Sequence, residues 1–303
     1  MTLEKIYVRF DDNLQFDLDI LKNTIHQGVC LGVKYVRIVG KIDNQLNNLN
    51  RLLKSLSPFD VEVSIDIPDS IVTEQLINDI KPYVDVREFG IDIHNEQVPD
   101  ALMDYGGMLA NIYPFSSLNS SSAIRLASKC LNSSNFSRVK MVLYSYDFSD
   151  IDMYFEFVRL IQIELNHEIK NGLVYCLIPP WLLKEKSFSI TRKMCNHRRT
   201  MGLLINGGVY NCNFNLPSHL HLETINNRNL IEIIEGNPLI KNFHDFNIDN
   251  VTGVCSKCIF LKYCGNICPS KCFNMTGDFR SSFPNCQHLF DRGRFQNEYL
   301  CKL

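Results

Sequence analysis

Two kinds of hydrophobic period alternate along the first 180 residues. Short runs rich in valine and isoleucine, typical of β-strands, cover residues 5–10, 33–40, 61–67, 84–93, 138–146 and 172–178. Apolar residues recur three or four positions apart over the intervening segments, which favours amphipathic helices at residues 16–32, 43–56, 70–84 and 149–169. The region 95–137 shows no clear period, and its serine-rich stretches are typical of loops.

This alternation predicts roughly six βα units in series. An α/β fold with a parallel sheet follows, either open or curled into a partial barrel. Ligands of such sheets bind at the carboxyl ends of the strands. Pro179, Pro180 and Trp181 interrupt the pattern. We therefore expect one domain over residues 1–182 and a second domain over residues 183–303.

Composition narrows the class of protein. Apolar residues make up 45% of the 303 residues and charged residues 21%, which is typical of a globular protein. The net charge of −2 argues against a nucleic-acid or membrane-surface binder. No apolar run is long enough to span a membrane, and the N-terminal residues lack the apolar core of a secretory signal. We therefore expect a cytoplasmic protein.

The first domain offers few candidate functional residues. Asp66 and Asp92 lie near the ends of predicted strands, where a carboxylate can contact a ligand. His94 follows the same strand as Asp92, although a hydrogen-bonded surface or core histidine is the more common role for such a residue. His167 and Glu168 are interpreted as a solvated helix face. Common nucleotide-binding, metalloprotease and serine hydrolase motifs are absent from this half.

Cysteines carry the strongest chemical signal. Eight of the twelve cysteines fall between residues 195 and 286, namely Cys195, Cys212, Cys255, Cys258, Cys264, Cys268, Cys272 and Cys286. The scattered remainder is interpreted as small buried hydrophobic residues, namely Cys30, Cys130, Cys176 and Cys301. In a reducing compartment, clustered cysteines are more often metal ligands or catalytic groups than disulfides.

The spacing of the clustered cysteines favours metal binding. The two residues between Cys255 and Cys258 allow a tight turn with both sulfurs on one side, and more distant cysteines then complete the site. Zinc and iron–sulfur clusters both accept four thiolates, and eight thiols are enough for two such sites. Glycine permits tight backbone turns, so Gly207, Gly208 and Gly265 are compatible with positions close to such a site. Spacing alone leaves zinc and iron–sulfur as alternatives.

The order of these residues resembles a known family. Eleven residues separate Cys195 from Gly207, and four more separate Gly207 from Cys212. The later cysteines have the pattern Cys-x2-Cys-x5-Cys-x3-Cys over residues 255–268, followed by Cys286 after a gap. This pattern resembles the SPASM domain, the auxiliary cluster domain of radical SAM peptide-modifying enzymes. The stretch GLLINGGVYNC (202–212) is similar to the hairpin of that family.

The resemblance implies two auxiliary 4Fe–4S clusters. The first would be ligated by Cys195, Cys212 and Cys268. The second would be ligated by Cys255, Cys258, Cys264 and Cys286. Cys272 lies outside the motif, so it either completes the first cluster or is a spare thiol.

The first domain is similar in element order to a radical SAM core, a partial (βα)6 barrel, but it lacks the catalytic motif. That family has a CxxxCxxC loop after the first strand, whereas this chain has FDDNLQFD (10–17), without cysteine. The family's GGE motif is replaced by VGKID at residues 39–43. The resemblance therefore implies a degenerate radical-SAM-like barrel that does not cleave S-adenosylmethionine (SAM), followed by a small Cys-rich SPASM domain.

Three functions are compatible with this sequence. The first is that of the SPASM-domain protein of grasp-with-spasm systems, which the chain resembles and which works with a precursor peptide and an ATP-grasp ligase or other peptide-modifying enzyme. The second is an active radical SAM enzyme with an atypical cluster site. The third is a zinc-stapled binding or scaffold protein. Its basic stretch CNHRRT (195–200) would then contact an acidic partner, although an exposed charged loop is the more common role of such a stretch.

Overall fold

The computed structural model describes a large part of the chain. The described residues are 3–85, 89–93, 108–112, 120–133, 135–141, 173–175, 199–210, 223–225, 228–264 and 268–301. All structural statements below concern these residues. Within them, no helix combines the length and the apolar character needed to span a bilayer.

One mixed sheet organises the fold. Seven strands pair in parallel in chain order, namely β1 (Lys5–Phe10), β2 (Tyr35–Gly40), β3 (Glu62–Pro68), β4 (Phe89–Ile93), β5 (Met108–Ile112), β6 (Phe136–Met141) and β7 (Leu173–Tyr175). On the other side of β1, three more strands extend the sheet, namely β8 (Thr200–Leu204), β9 (Gly208–Tyr210) and β10 (Glu223–Thr224). β8 is parallel to β1, whereas β9 and β10 run antiparallel to their neighbours.

Helices connect the first strands and cover one face of the sheet. They are α1 (Leu18–Cys30), α2 (Leu46–Leu56), α3 (Glu74–Ile80) and α4 (Ser120–Leu131). Asp17 caps α1 by accepting a hydrogen bond from the Ile20 amide at 3.0 Å, and Thr73 caps α3 in the same way. The alternation in β1 sets the two faces, because Ile6 and Val8 are buried in the main core whereas Tyr7 is partly exposed.

The predicted α/β fold with parallel strands is confirmed, but one βα unit was missed. Strand β5 and helix α4 lie in the region 95–137, where the sequence shows no clear period and only its serine-rich stretches were assigned to loops. No helix was predicted there, because α4 buries several small side chains that give little periodic signal, such as Ala123 and Ala127. Closure of the sheet into a partial barrel stays a prediction, and the predicted helix 149–169 lies outside the described residues.

The C-terminal part contains a second, smaller core. The helices of the C-terminal part are α5 (Leu230–Gly236), whose buried residues belong to the main core, and α6 (Pro238–His244), α7 (Pro269–Thr276) and α8 (Pro284–Asp291). The main core continues as far as Ile240, and the second core begins at Phe243. The predicted domain boundary at residue 182 lies outside the described residues and stays a prediction. Strands β8–β10 nevertheless belong to the same sheet as β1.

A hydrogen bond joins the beginning of α5 to the helix layer of the sheet. The Leu230 amide donates to Gln27 Oε1 of α1 at 2.6 Å. Asn229 and Glu232 form a capping box at the same end of α5, which satisfies further amide groups of its first turn. The position of α5 is therefore fixed by residues some two hundred positions apart in the sequence.

Candidate functional site

Four polar residues lie side by side across strands β2 to β5, on the face opposite Ile6 and Val8. We call this set the polar row; it consists of Arg37, Asp66, Asp92 and Asn111. The strand register explains the row. Asp92 pairs with Asn111, and Asp66 pairs with Gly90, two residues before Asp92. Residues two apart in a strand share a face, so the four side chains project from one face of the sheet.

Hydrogen bonds connect the polar row continuously. Arg37 Nε donates to Asp66 Oδ2 at 2.9 Å and Arg37 Nη2 to Asp66 Oδ1 at 2.6 Å, which forms a bidentate ion pair. Asn111 Nδ2 donates to Asp66 Oδ1 at 3.1 Å and to Asp92 Oδ1 at 2.9 Å. Asn111 thus bridges the two carboxylates, and these contacts fix the orientation of its amide.

The polar row carries a shielded charge. The Arg37 and Asp66 side chains are only 16% and 11% exposed. Burial opposes the charge of the guanidinium, but the ion pair and hydrogen bonds with Asp66 raise the pKa of Arg37 above its usual value. The row therefore contains one fixed cation and two carboxyl groups. The buried Asn111 Oδ1 atom accepts no hydrogen bond from the residues that the structure describes, so it offers an acceptor to a water molecule or a ligand.

The polar row requires glycine at position 90. A Cβ atom added to Gly90 would overlap Asp66 Oδ1 and would lie 2.9 Å from Asn111 Nδ2. A buried clash with two hydrogen-bonded side chains cannot be relieved without breaking their contacts.

We expect Gly90→Ala to lower the free energy of unfolding by about 2 kcal/mol, as for other overpacked sites, in a urea titration. Gly236→Ala is the matched control. Its Cβ atom would approach nothing closer than 3.4 Å, and alanine favours the helix in which Gly236 lies. Equal urea midpoints of unfolding for Gly90→Ala and the wild type would contradict the packing described for the polar row.

The structure brings together two of the predicted first-domain residues, Asp66 and Asp92. Their proximity fits the expectation of a ligand contact, although Asp66 is already engaged by Arg37. His94, His167 and Glu168 lie outside the described residues. Sequence reasoning missed Arg37 and Asn111. A polar residue inside an otherwise apolar strand, as in YVRIV and MLANI, is the signal that points to each of them.

The turn predicted at Gly207 and Gly208 is present. β8 and β9 form an antiparallel hairpin, and Gly207 has a φ of +87°, a backbone conformation that glycine adopts readily. The Gly207 amide donates to the Leu204 carbonyl at 2.9 Å, which closes the turn. The hairpin implied for residues 202–212 is therefore confirmed as far as Tyr210. Gly265 lies outside the described residues.

The predicted metal-ligating cysteines fall into two groups. Cys195 and Cys212 lie outside the described residues, so the first predicted ligand set stays a prediction. The other predicted ligands lie in or beside the second core. Three of them are buried, namely Cys255, Cys272 and Cys286, and three are half-buried, namely Cys258, Cys264 and Cys268.

Cys255 lies at the centre of a hydrogen-bonded environment. Its sulfur is hydrogen-bonded to Cys286 and accepts from the Phe283 amide at 3.4 Å. The Cys255 amide donates to Ser282 Oγ at 2.9 Å. The hydrogen bond with Cys286, opposed by burial and assisted by Phe283 and Ser282, lowers the pKa of the Cys255 thiol to about 7. Cys255 is thereby biased towards the thiolate, the form that binds metals.

Cys258 follows in the same tight turn, as its amide donates to the Cys255 carbonyl at 3.1 Å. Burial raises the pKa of Cys258, and the nearby Cys255 and Cys301 act in the same direction. Cys272 is buried beside the same elements and donates to the Ser282 carbonyl at 3.6 Å. The two roles predicted for Cys272, ligand and spare thiol, both remain predictions.

The scattered cysteines correct one expectation. Cys130 is buried in the main core, as predicted, and Cys176 lies outside the described residues. Cys30 and Cys301 are exposed, so their prediction as buried hydrophobic residues was wrong. Cys30 is the last residue of α1, and Cys301 follows the final short helix of the described chain, where neither is enclosed by a core.

The donor chemistry of the second core fits a thiolate-bound metal. Thiolates are the ligands of structural zinc and of iron–sulfur clusters, and Cys255 lies in a setting that favours the thiolate. Within the described residues, no three potential ligands already have the spacing of a metal site. Cys255 is hydrogen-bonded to Cys286, and its backbone carbonyl accepts from the Cys258 amide in the same turn.

We expect Ser282→Ala to lower the free energy of unfolding by about 1–3 kcal/mol, the usual cost of a buried unsatisfied donor, in thermal or urea unfolding. Ser282 is 3% exposed, and its hydroxyl also donates to the Thr252 carbonyl at 2.6 Å. Ser256→Ala removes an exposed hydroxyl from the same turn and should stay within about 0.5 kcal/mol of the wild type. Similar losses in both variants would show that Ser282 has no special role beside Cys255.

Comparisons with known proteins bear on the fold. No protein-family model matches the chain, and no curated protein matches it. The fold itself defines an α/β protein whose parallel sheet is extended beyond its first strand by a hairpin.

Solved structures of SuiB from Streptococcus suis share this fold. The structure bound to the precursor peptide SuiA has a TM-score of 0.61 and 12% sequence identity, and the match covers 93% of this chain and 75% of that chain. The structure bound to S-adenosylmethionine has a TM-score of 0.57 and 14% identity, with 86% of this chain and 72% of that chain covered. A further SuiB structure has a TM-score of 0.55 and 13% identity, over 87% and 71% of the two chains.

Proposed function

We propose that the chain is a radical-SAM-like protein that takes part in maturation of a ribosomally synthesised precursor peptide without cleaving SAM itself. The observation that carries this proposal is the likeness over 93% of the chain to SuiB in complex with its precursor peptide. A likeness of this extent includes the C-terminal region as well as the sheet. It agrees with the resemblance of the cysteine pattern to radical SAM peptide-modifying enzymes.

The polar row is the proposed contact for the peptide. It lies on the sheet face opposite the buried Ile6 and Val8, and it combines two carboxyl groups with one guanidinium. The buried Asn111 Oδ1, beside the Asp92 carboxylate, suits a substrate group that donates N–H or O–H bonds. A backbone amide or a side-chain amine of a peptide has this chemistry.

The loop between β1 and α1 supports the proposal that the chain does not cleave SAM. Seven residues separate the two elements, and they include no cysteine. The Asp11 carbonyl accepts from Gln45 Nε2 at 3.0 Å, and the Asp17 amide donates to the Ile205 carbonyl at 2.8 Å. The chain thus fills this loop with its own polar contacts, and the loop itself contributes no thiolate that could hold a SAM-cleaving cluster.

The proposed cofactors are two auxiliary 4Fe–4S clusters, held by the ligand sets that the resemblance implies. Such clusters supply electron transfer or a covalent brace for the fold, and thiolates such as Cys255 would hold them. The proposed partners are the precursor peptide and an ATP-grasp ligase or other peptide-modifying enzyme acting in the same cytoplasmic pathway. Zinc is the second candidate, because paired thiols such as Cys255 and Cys286 also suit a structural zinc site.

Metal and sulfide analysis of protein purified without oxygen tests the cofactors. Two 4Fe–4S clusters contain four irons and four sulfides each, so about eight irons and eight sulfides per chain are expected. One or two zinc ions without sulfide would instead support the zinc-stapled scaffold.

Two further assays test the role itself. Reduced, reconstituted protein incubated with SAM should form no 5′-deoxyadenosine, with a SAM-cleaving enzyme assayed alongside as the positive control. Formation of 5′-deoxyadenosine would revive the active radical SAM alternative.

Binding of short peptides encoded beside the gene should be measurable by calorimetry and weaker for Asp92→Asn. Failure to bind any of these peptides, with scrambled peptides as controls, would overturn the maturation role.

A further inference from the structure

The sheet face that carries the polar row becomes cationic and aromatic towards β1. The strand register pairs Tyr7 with Arg37 and Lys5 with Tyr35, so these residues of β1 and β2 share that face. We call this set the tyrosine–cation strip; it consists of Lys5, Tyr7, Arg9, Tyr35 and Arg37. Arg37 belongs to the strip and to the polar row, so the two sets adjoin.

The tyrosine–cation strip is accessible to solvent, although β1 and β2 are interior strands of the sheet. All five of its residues are partly exposed. On the opposite face of the same two strands, the side chains are fully buried in the main core, namely Ile6, Val8, Val36 and Ile38. A ligand can therefore reach these strands from the face of the strip.

Aromatic contacts hold one cation of the strip in place. Lys5 Nζ lies 5.2 Å from the centroid of the Tyr7 ring and 6.0 Å from that of Tyr35, which is the geometry of a cation–π contact. Beside Tyr7, β8 contributes Gly202, which pairs in turn with Tyr210 of β9. Glycine adds no side chain between these two tyrosines, and a glycine inside a strand often marks the close approach of a ligand or another backbone.

Charge is divided across this face of the sheet. The three cations of the strip lie on β1 and β2, whereas Asp66 and Asp92 of the polar row lie on β3 and β4. The ion pair between Arg37 and Asp66 lies at the boundary. Beyond the end of β1, the Asp11 carboxylate accepts from the Asn13 amide at 3.1 Å. A ligand that crosses the face therefore meets cations at one end and hydrogen-bond acceptors at the other.

We propose that the tyrosine–cation strip binds an acidic side chain of the precursor peptide, an assignment that rests on the proposed function for the identity of the ligand. Lys5 and Arg9 supply the charge, and Tyr7 and Tyr35 supply hydroxyl donors and ring surface. Tyrosine and arginine are the residues on which binding energy is often concentrated at protein interfaces. The polar row then accepts N–H groups of the same peptide, so the division of charge selects an acidic peptide and sets its direction.

Calorimetric titration of short model peptides tests this assignment in the unmutated protein. The probes are blocked peptides of equal length in which glycine alternates with glutamate, glutamine or lysine. The glutamate peptide is expected to bind about tenfold more tightly than the glutamine peptide, because hydrogen bonds to charged groups are stronger than those to neutral groups. The lysine peptide should bind more weakly than both. Raising the salt from about 0.05 M to about 0.5 M should remove most of the difference, since partly exposed charges are screened.

Substitutions locate the binding on the strip. Arg9→Gln and Lys5→Gln should each weaken binding of the glutamate peptide about fivefold or more, and should affect the glutamine peptide less. Lys54→Gln removes the same charge from the exposed surface of α2 and should change neither affinity, with far-UV circular dichroism confirming the fold of each variant. Equal affinities of the wild type for the glutamate and glutamine peptides, or equal effects of Arg9→Gln and Lys54→Gln, would overturn the assignment.

This assignment and the maturation role fail separately. Peptides encoded beside the gene that bind equally well after their acidic residues are replaced by amides would reject the strip and leave the maturation role intact. Binding of the glutamate peptide without binding of any encoded peptide would reject the maturation role and leave the strip as a site for acidic peptides. Tight binding of inorganic phosphate, with equal binding of all three model peptides, would identify small anions as the ligands and reject the assignment.

Discussion

Asp66→Ala is expected to lower the free energy of unfolding by about 3 kcal/mol, because it leaves a nearly buried guanidinium without its partner. In the wild type, Arg37 forms two hydrogen bonds to Asp66, and its side chain is 16% exposed. Asn111 loses one of its two carboxylate acceptors in the same variant. Equilibrium unfolding in urea, followed by far-UV circular dichroism, measures the loss.

Asp12→Ala provides the matched control for Asp66→Ala. Asp12 forms an ion pair with Lys41 at 3.7 Å, but the Lys41 side chain is 69% exposed. Exposed pairs contribute about 0–1 kcal/mol, so this variant should unfold almost as the wild type does. A double variant, Arg37→Met with Asp66→Ala, should lose less than the sum of the two single changes, since it removes the unpaired charge. Equal losses for Asp66→Ala and Asp12→Ala would show that the polar row is not a coupled network.

Cys258→Ala is expected to unfold the second core while the sheet remains intact. Metal binding at a structural thiolate site contributes about 10–16 kcal/mol of apparent free energy in small domains, so loss of one ligand removes much of the stability of residues 243–301. The second core has its own buried residues, such as Phe243 and Phe283, which are distinct from those under the sheet. Its loss can therefore leave the first core folded.

Hydrogen exchange with peptide-level mass spectrometry checks this result. Amides of residues 243–301 should exchange at least about tenfold faster in Cys258→Ala, as expected for a cooperative unit that opens separately. Amides of strands β1–β3 should keep their protection. Cys30→Ala, at an exposed thiol on α1, should change neither region. Loss of protection in both regions of Cys258→Ala, or in neither, would contradict the separation into two cores.

Sequence patterns predicted those parts of the fold whose signal is local. The predicted strand 5–10 coincides with β1, because its apolar residues alternate between a buried and a half-buried face. Helices α1 and α2 lie inside their predicted ranges, since each buries one side of a regular apolar stripe. Strand β5 is only five residues long and buried throughout, so it has no alternation that reveals a strand.

The candidate sites depend on contacts that the sequence does not encode locally. Asp66 and Asp92 could be proposed as ligand contacts from their positions near strand ends. The role of Asn111 between them depends on the register of β3, β4 and β5, which only the structure provides. The burial of Cys301 was mispredicted for the same reason, because the exposure of a side chain depends on which distant segments pack around it.

The position of β8 has a consequence for the order in which the protein folds during synthesis. β1 is an interior strand because β8, some two hundred residues later, pairs with its second edge. Until residues 200–204 have left the ribosome, β1 presents an unpaired row of backbone donors and acceptors, a template for pairing with other chains. A nascent or truncated chain that ends near residue 182 is therefore expected to aggregate, whereas one that continues through β9 encloses its own first strand.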